Sequence, residues 1–428
     1  MIGQLEISGF KSIEKVSMEF KQLNIICGEN ASGKTSIIHA ILLCSQNEKD
    51  GNSLDGKIIK IGDYDELKNK NNSSAIEITL KNGETKKAII CNENDDILSN
   101  FKYKITIIGD QNAFKFEDSI FYLCSNRVGV VDTYAKGDFL FGNDGAETIS
   151  FLYKNQDSFM NNDYMGSFKK EYSESNIIEN KKFIEHVRFW IEKLSDEDIY
   201  IDSIRNTNQF SLCFGNQFRI RPINTGSGYS YLLPIVVTCL GIILLNKKNA
   251  TIIIENPEIF LHPRAQLKLM RFLSFCKNFM QIILETHSEY IVKGALDNNK
   301  NDTSVYVVAK NKDGFTETTL FDSNDFKTDS YLEVLYRAFG IATNDFHNLL
   351  YNTLLNKLIQ NDEDKRIITF DKKLNKIEGV RKKVWKHEKK TYKTLPTFIR
   401  NKIDHPDGDG DFSYDELVSS IDFLLKQL

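Results

Sequence analysis

An α/β fold on a largely parallel sheet is what this sequence predicts, and three observations carry the prediction. Leu23-Asn24-Ile25-Ile26, Thr251-Ile252-Ile253-Ile254 and Gln281-Ile282-Ile283-Leu284 have the near-continuous aliphatic character of strands buried on both faces. Helix-length apolar segments alternate with them, as in sheets whose strands are joined by crossovers. The first run enters Gly28-Glu29-Asn30-Ala31-Ser32-Gly33-Lys34-Thr35-Ser36 and leaves through Ile37 to Leu43. That order of strand, glycine-rich loop and helix is what a phosphate-cradling P-loop requires.

Within the loop, Gly28 and Gly33 let the backbone wrap so that its N–H groups face phosphates, with Asn30, Ser32 and Ser36 among them. The helix beginning near Lys34 adds the positive end of its dipole. Lys34 is expected to reach the β- and γ-phosphates, and the Thr35 hydroxyl to be a Mg²⁺ ligand. The loop therefore predicts a bound nucleoside triphosphate with Mg²⁺.

The chain has 428 residues, enough for two or three domains and a large core, and its 41% hydrophobic and 27% charged residues are ordinary for a globular protein. A net charge of -4 argues against a nucleic-acid coat, though not against a local basic patch. Met1 to Phe20 alternates apolar and charged residues, so no signal peptide is expected, and no apolar run is long enough to span a membrane. The 7 cysteines are scattered without a C-x-x-C pair and read as reduced core residues of a cytoplasmic protein.

Taken in order, Gln4–Ile13 and Val16–Phe20 alternate with period two, as half-buried strands do. The polar stretch 46–118 holds a hairpin, Ala75 to Leu80 and Thr85 to Cys91 around Asn82-Gly83, because both turn residues tolerate positive φ. Ser119 to Cys124 is a further strand, running into Ser125-Asn126-Arg127. Residues 147–200 form a helical lobe, with Phe183-Ile184 and Val187 to Ile191 at helical spacing. Strands return at Phe210–Phe214 and Gln217–Ile220, and Thr225 to Ser230 feeds an apolar helix through Leu245. The first domain is expected to span 1–295, and a smaller, mostly helical region 296–428.

A P-loop also needs a carboxylate on a neighbouring strand to hold Mg²⁺, and Ile252-Ile253-Ile254-Glu255-Asn256-Pro257-Glu258 supplies a strand ending in acid. Glu285-Thr286-His287-Ser288 ends another, where His287 is placed to report on the γ-phosphate. Together, G-E-N-A-S-G-K-T-S, I-E-N-P-E-I-F-L-H-P-R-A-Q and L-E-T-H-S-E resemble the ABC/SMC-type ATPases. The resemblance covers about residues 1–295 and is nearest to compact bacterial members akin to the OLD nucleases and anti-phage defence ATPases. It implies an ABC-type ATPase head with a β-rich N-terminal lobe and a helical lobe. Ser227 and Gly228 would occupy the signature position and touch the nucleotide of a second copy, and Ser125-Asn126-Arg127 the place of the Q-loop. The sequence departs at Asn256, where most such enzymes have the glutamate that activates the attacking water. Asparagine orients water but takes no proton, so hydrolysis should be slow, with Glu258 the nearest alternative base.

The C-terminal region is read from short patterns. Arg400 and His405 match the R-x4-H pattern of HEPN ribonucleases. Lys372–Lys393 holds ten Lys/Arg against two Glu, a solvated face or a contact for nucleic acid or an acidic partner. Asp407 to Asp411 fails as a calcium loop, since Phe412 and Val418 stand where Gly and Glu are needed. Ser413-Tyr414-Asp415-Glu416 is a capping-box start to a last helix. The leading functional expectation is a nucleotide-dependent homodimer, or higher homo-oligomer, that switches a separate effector, a nuclease or toxin, in bacterial defence. The alternatives are a self-contained ATP-gated ribonuclease using Arg400 and His405, and a DNA-repair clamp ATPase.

Overall fold

The computed structural model describes residues 1–48, 53–71, 75–94, 103–127, 140–173, 181–196, 198–203, 210–214, 227–321, 327–328, 331–359, 367–387, 390–408 and 410–428. They form two compact units, Met1–Phe321 and Asp322–Leu428.

The first unit opens with the antiparallel pair β1 (Gln4–Phe10) and β2 (Ile13–Glu19), then β3 (Leu23–Gly28), buried at every position, and α1 (Lys34–Gln46). After the single-turn α2 (Tyr64–Leu67) come β4 (Ile76–Asn82), β5 (Thr85–Glu93) and β6 (Tyr103–Gly109). The predicted hairpin is β4 and β5, turning through Gly83 at φ 58°. Next are β7 (Ile120–Leu123), the helices α3 (Thr148–Asn155), α4 (Asn162–Glu171) and α5 (Phe183–Ser195), and the pair β8 (Ile199–Ser203) and β9 (Phe210–Phe214). The strand expected at 217–220 lies outside the described residues. The unit closes with α6 (Ser227–Leu244), β10 (Thr251–Glu255), α7 (Pro263–Cys276), β11 (Gln281–Thr286), α8 (Glu289–Asn299), β12 (Thr303–Lys310) and β13 (Thr316–Phe321). The boundary expected at 295 falls inside α8, and the unit runs on because β12 and β13 join its main sheet.

Two sheets organise this unit. One is five-stranded and antiparallel, in the order β2-β1-β4-β5-β6; the other is six-stranded, in the order β13-β12-β3-β11-β10-β7. In the second, β12, β3, β11, β10 and β7 run parallel, and only β13 is antiparallel. Between the sheets lies α1. Its Ile37, Ile38, Ala40, Ile41, Leu42, Leu43 and Cys44 are all fully buried. A helix flanked by two sheets has no wet face, so apolar residues go nearly all round it.

One sequence expectation needs correcting. The strand next to the P-loop strand is β11, and β10, which carries Glu255, lies one place further out. Both are aliphatic, so composition alone cannot order them. The helical lobe packs on an aromatic cluster in which Tyr164, Phe168, His186, Phe189, Trp190 and Phe275 meet mainly edge to face.

The second unit holds α9 (Tyr331–Phe339), α10 (Asn344–Leu358), α11 (Ile367–Leu374), the pair β14 (Lys382–His387) and β15 (Lys390–Thr394), α12 (Leu395–Asp404) and α13 (Tyr414–Gln427). Its own core includes Phe346, Leu350, Phe370, Trp385, Phe398 and Ile421. The expected capping box is present: the Ser413 hydroxyl accepts from the Glu416 N–H, and the Glu416 carboxylate accepts from the Ser413 N–H. Among the described residues no helix is long and apolar enough to cross a membrane.

Candidate nucleotide-binding site

The P-loop crosses from β3 to α1 with three residues in left-handed backbone: Gly28 at φ 145°, Ala31 at φ 60° and Gly33 at φ 113°. Two of these must be glycine for space as well. A Cβ on Gly28 would lie 2.1 Å from the Val308 carbonyl oxygen, and one on Gly33 would lie 2.2 Å from Thr316 Oγ1. Thr316 fastens the loop by donating from Oγ1 to the Ser32 carbonyl at 2.8 Å. Lys34 is buried over the loop, its Nζ donating to the carbonyls of Gly28 (3.0 Å) and Glu29 (2.7 Å). Burial lowers its pKa, against the pull of Glu285, Cys27, Glu258 and Glu29. Glu29, Asn30 and Thr35 are exposed and Ser36 is half-buried, so the loop presents an open face rather than a closed cavity.

Opposite the loop are the strand ends. Glu255 and Glu285 are register partners across β10 and β11. Glu255 Oε1 accepts from the Tyr122 hydroxyl at 2.8 Å, and its Oε2 from the Ser125 N–H at 3.0 Å. Glu285 Oε1 accepts from Thr35 Oγ1 at 2.7 Å. Burial, with Glu255 beside it, pushes the Glu285 carboxyl up to about 7 despite Thr35 and Lys34. Asn256, at φ 41°, donates its N–H to the Glu285 carbonyl at 2.7 Å. Buried Arg127 spans the turn, donating to the carbonyls of Glu255 (2.7 Å), Asn256 (2.8 Å) and Cys124 (2.9 Å). Glu258 Oε1 accepts from the His287 N–H at 2.8 Å, and burial raises its carboxyl above the usual range. Burial and nearby Lys34 lower the His287 pKa, while a hydrogen bond with the Gly28 backbone opposes them.

Five buried polar atoms here have no hydrogen-bond partner: Ser32 Oγ, Arg127 Nε, Asn256 Oδ1, Glu258 Oε2 and Glu285 Oε2. A loop hydroxyl together with acid and amide oxygens is a donor set suited to a polyphosphate, a divalent cation and a water. Among the described residues no three or more His, Cys, Asp or Glu groups form a metal cage. A Mg²⁺ ion here would be held jointly by protein oxygens and the phosphates, as that ion commonly is.

The sequence-predicted residues Gly28, Gly33, Lys34, Thr35, Glu258 and His287 come together at this face, with Glu255 and Asn256 at the end of the strand paired with that of Glu285. Sequence reasoning missed Tyr122 and the role of Glu285. Tyr122 lies in a short apolar strand that gives no sign of binding an acid 133 positions away. Glu285 looked like part of the approach to His287. Of the signature stretch, Thr225 and Gly226 lie outside the described residues, while Ser227 and Gly228 begin α6. A Cβ on Gly228 would come within 2.9 Å of the Phe260 carbonyl oxygen, so its own chain already demands glycine there. Phe260 is 62% exposed, at φ 59°, with its ring edge-to-face with Tyr231.

In the second unit, Arg400 is taken up by Asp404 (2.6 Å) and Asn401 (3.0 Å), and His405 caps α12 through its backbone. The basic segment forms the end of α11 and the β14–β15 pair. Its Lys372, Lys373, Lys376, Lys382, Lys386 and Lys393 are exposed, while Lys383 pairs with Glu416.

A family model described as an AAA ATPase domain, AAA_15, matches residues 1–200 and 147–292. The chain belongs to this AAA ATPase family. The expectation of an ABC/SMC-type P-loop ATPase is borne out by that membership. The chain is also similar to Septu protein PtuA of Bacillus mycoides, 22% identical over 393 residues, or 89% of this chain and 51% of that protein. It is 40% identical over 62 residues to the DNA replication and repair protein RecF of Lachnoclostridium phytofermentans, or 14% of this chain and 17% of that protein. It thus spans about half of the first relative and under a fifth of the second. The Smc head domain of Pyrococcus furiosus, solved bound to the C-terminal domain of ScpA, aligns at 14% identity and a TM-score of 0.48, covering 76% of this chain and 96% of that one.

Proposed function

We propose that this ATPase hydrolyses slowly and that its ATP-bound state is the signal. Two copies close head to head, Ser227 and Gly228 of one meeting the nucleotide held at Lys34 of the other. The closed dimer controls a separate effector, a nuclease or toxin, in bacterial anti-phage defence.

The observation that carries this reading is Asn256. It stands directly after the strand-end acid Glu255, its Oδ1 buried without a partner, and it has no group that can take a proton. General-base help is worth about 10²–10⁴-fold, so its loss at this position favours a long-lived ATP state. Lys34 supplies a point charge for the β- and γ-phosphates, Thr35 and Glu255 hold the metal, and His287 responds to the γ-phosphate. Mg²⁺, when bound, neutralises charge developing on the phosphates. Glu258, half-buried with its carboxyl raised by burial against hydrogen bonds from the His287 backbone and Thr286, is the remaining candidate base. The defence setting rests on the motif resemblance and on the similarity to PtuA along most of this chain.

The similarity to RecF favours a second reading, a clamp ATPase on duplex DNA. A self-contained ribonuclease has less support, because Arg400 already pairs with Asp404.

Calorimetry with Mg²⁺-ATP tests the foundation. Wild type should bind and Lys34→Ala should lose most of the affinity; equal affinities would overturn the nucleotide assignment. Light scattering with a non-hydrolysable analogue should show the mass doubling, and a persistent monomer at saturation would overturn closure.

A further inference from the structure

Two acids end adjacent strands at this face, and their hydrogen bonds make them unlike. Both oxygens of Glu255 are occupied, by the Tyr122 hydroxyl and the Ser125 N–H. Glu285 is only 2% exposed, yet it has one oxygen on Thr35 and the other on nothing. A buried oxygen left without a donor destabilises the fold, and more so when the group is charged. A cation beside it would remove that cost.

The contact with Thr35 narrows the choice of ligand. Thr35 gives its proton to Glu285, so the hydroxyl's lone pairs remain available to a metal ion. The same hydrogen bond that holds the carboxylate therefore aims the hydroxyl. Strand order agrees, since β11 lies directly beside the P-loop strand and β10 does not.

We propose that Glu285 is a second carboxylate of the Mg²⁺ site, meeting the ion together with Thr35 beside Glu255, whose two oxygens are also held by Tyr122 and Ser125. Mg²⁺ commonly takes one or two carboxylates alongside substrate phosphates, so a second acid fits its chemistry. The inference rests on the ATP-binding reading.

The test is the ratio of affinity for a non-hydrolysable ATP analogue with saturating Mn²⁺ to that in EDTA, measured by calorimetry. Glu285→Gln keeps the size and can still accept from Thr35, but it loses the charge. It should cut the ratio by about 10- to 100-fold and leave binding in EDTA unchanged. Glu285→Asp keeps the charge one methylene further back and should fall between Gln and wild type. A wild-type ratio in Glu285→Gln overturns the proposal, as does an equal fall in both variants with weakened binding in EDTA. If Glu285→Gln does not fold, Glu285→Asp decides: a reduced ratio with EDTA binding intact supports the site, and an unchanged ratio removes it. Wild-type protein that binds no analogue under either condition would take down the nucleotide reading itself.

Discussion

Asn256 is held from both sides, its N–H on the Glu285 carbonyl and its own carbonyl on Arg127. Its φ of 41° lies in the left-handed region, which asparagine and aspartate tolerate better than other side chains. Installing the missing base as Asn256→Glu therefore carries a backbone cost of about 1–2 kcal/mol. Asn256→Asp keeps the backbone and is the matched control. If absence of a base limits the rate, Asn256→Glu should raise steady-state turnover despite that cost. Glu258→Gln should lower it by about 10²-fold or more if Glu258 serves as base, and little otherwise. Wild-type turnover on the order of tens per second, unchanged by Glu258→Gln, would end the slow-switch reading. At this scale the sequence was most legible where chemistry and spacing coincide, as in Lys34, Thr35 and His287. It was silent on Tyr122, and it placed Arg127 in a Q-loop position without its bonds to the Glu255 and Asn256 carbonyls, because both roles depend on strands made far apart in the chain.

The phosphate loop is an element with a wall. Thr316 at the start of β13 touches Gly33 and bonds Ser32, so an edge strand of the main sheet sets the shape of the loop. Gly33→Ala meets two penalties: a Cβ 2.2 Å from Thr316 Oγ1, and a φ of 113°. It should abolish measurable ATP binding and lower stability. Adding Thr316→Ala should recover part of the stability, leaving the roughly 1–3 kcal/mol of backbone strain. Denaturant melts of both variants check this, and full additivity would show that the wall exerts no pressure. Individual strands and helices were readable because aliphatic runs and period-two alternation are local. Their order was not, because Ile252 to Ile254 and Ile282 to Leu284 are chemically alike and only tertiary pairing tells which stands beside β3.

Each unit carries one of the molecule's 2 tryptophans, Trp190 in the first and Trp385 in the second, so each can be followed separately. In the second unit His347 is fully buried, its Nε2 2.9 Å from Ser420 Oγ, and burial lowers its pKa from 6.5 to about 4. Between those values the unfolded chain binds a proton that the folded unit refuses. Stability there rises with pH and is lost as pH falls from 6.5 toward 4, by roughly 3 kcal/mol in full. Urea melts of Trp190→Phe, read by Trp385 fluorescence, should weaken across that window. His347→Gln should flatten the dependence, and an equally steep loss in that variant would remove the assignment. The topology of the first unit also sets a timetable. The P-loop strand, Leu23–Gly28, is flanked by Gln281–Thr286 and Thr303–Lys310, both made long after it. At about 5–20 residues per second, a ribosome leaves it without either neighbour for on the order of ten to fifty seconds. During that time α1 lacks one of its two sheets, and the loop that opens it has nothing to shape it. A chain cut short before β11 should not assemble the cradle, and nucleotide binding should require synthesis past Thr316, which fastens the loop.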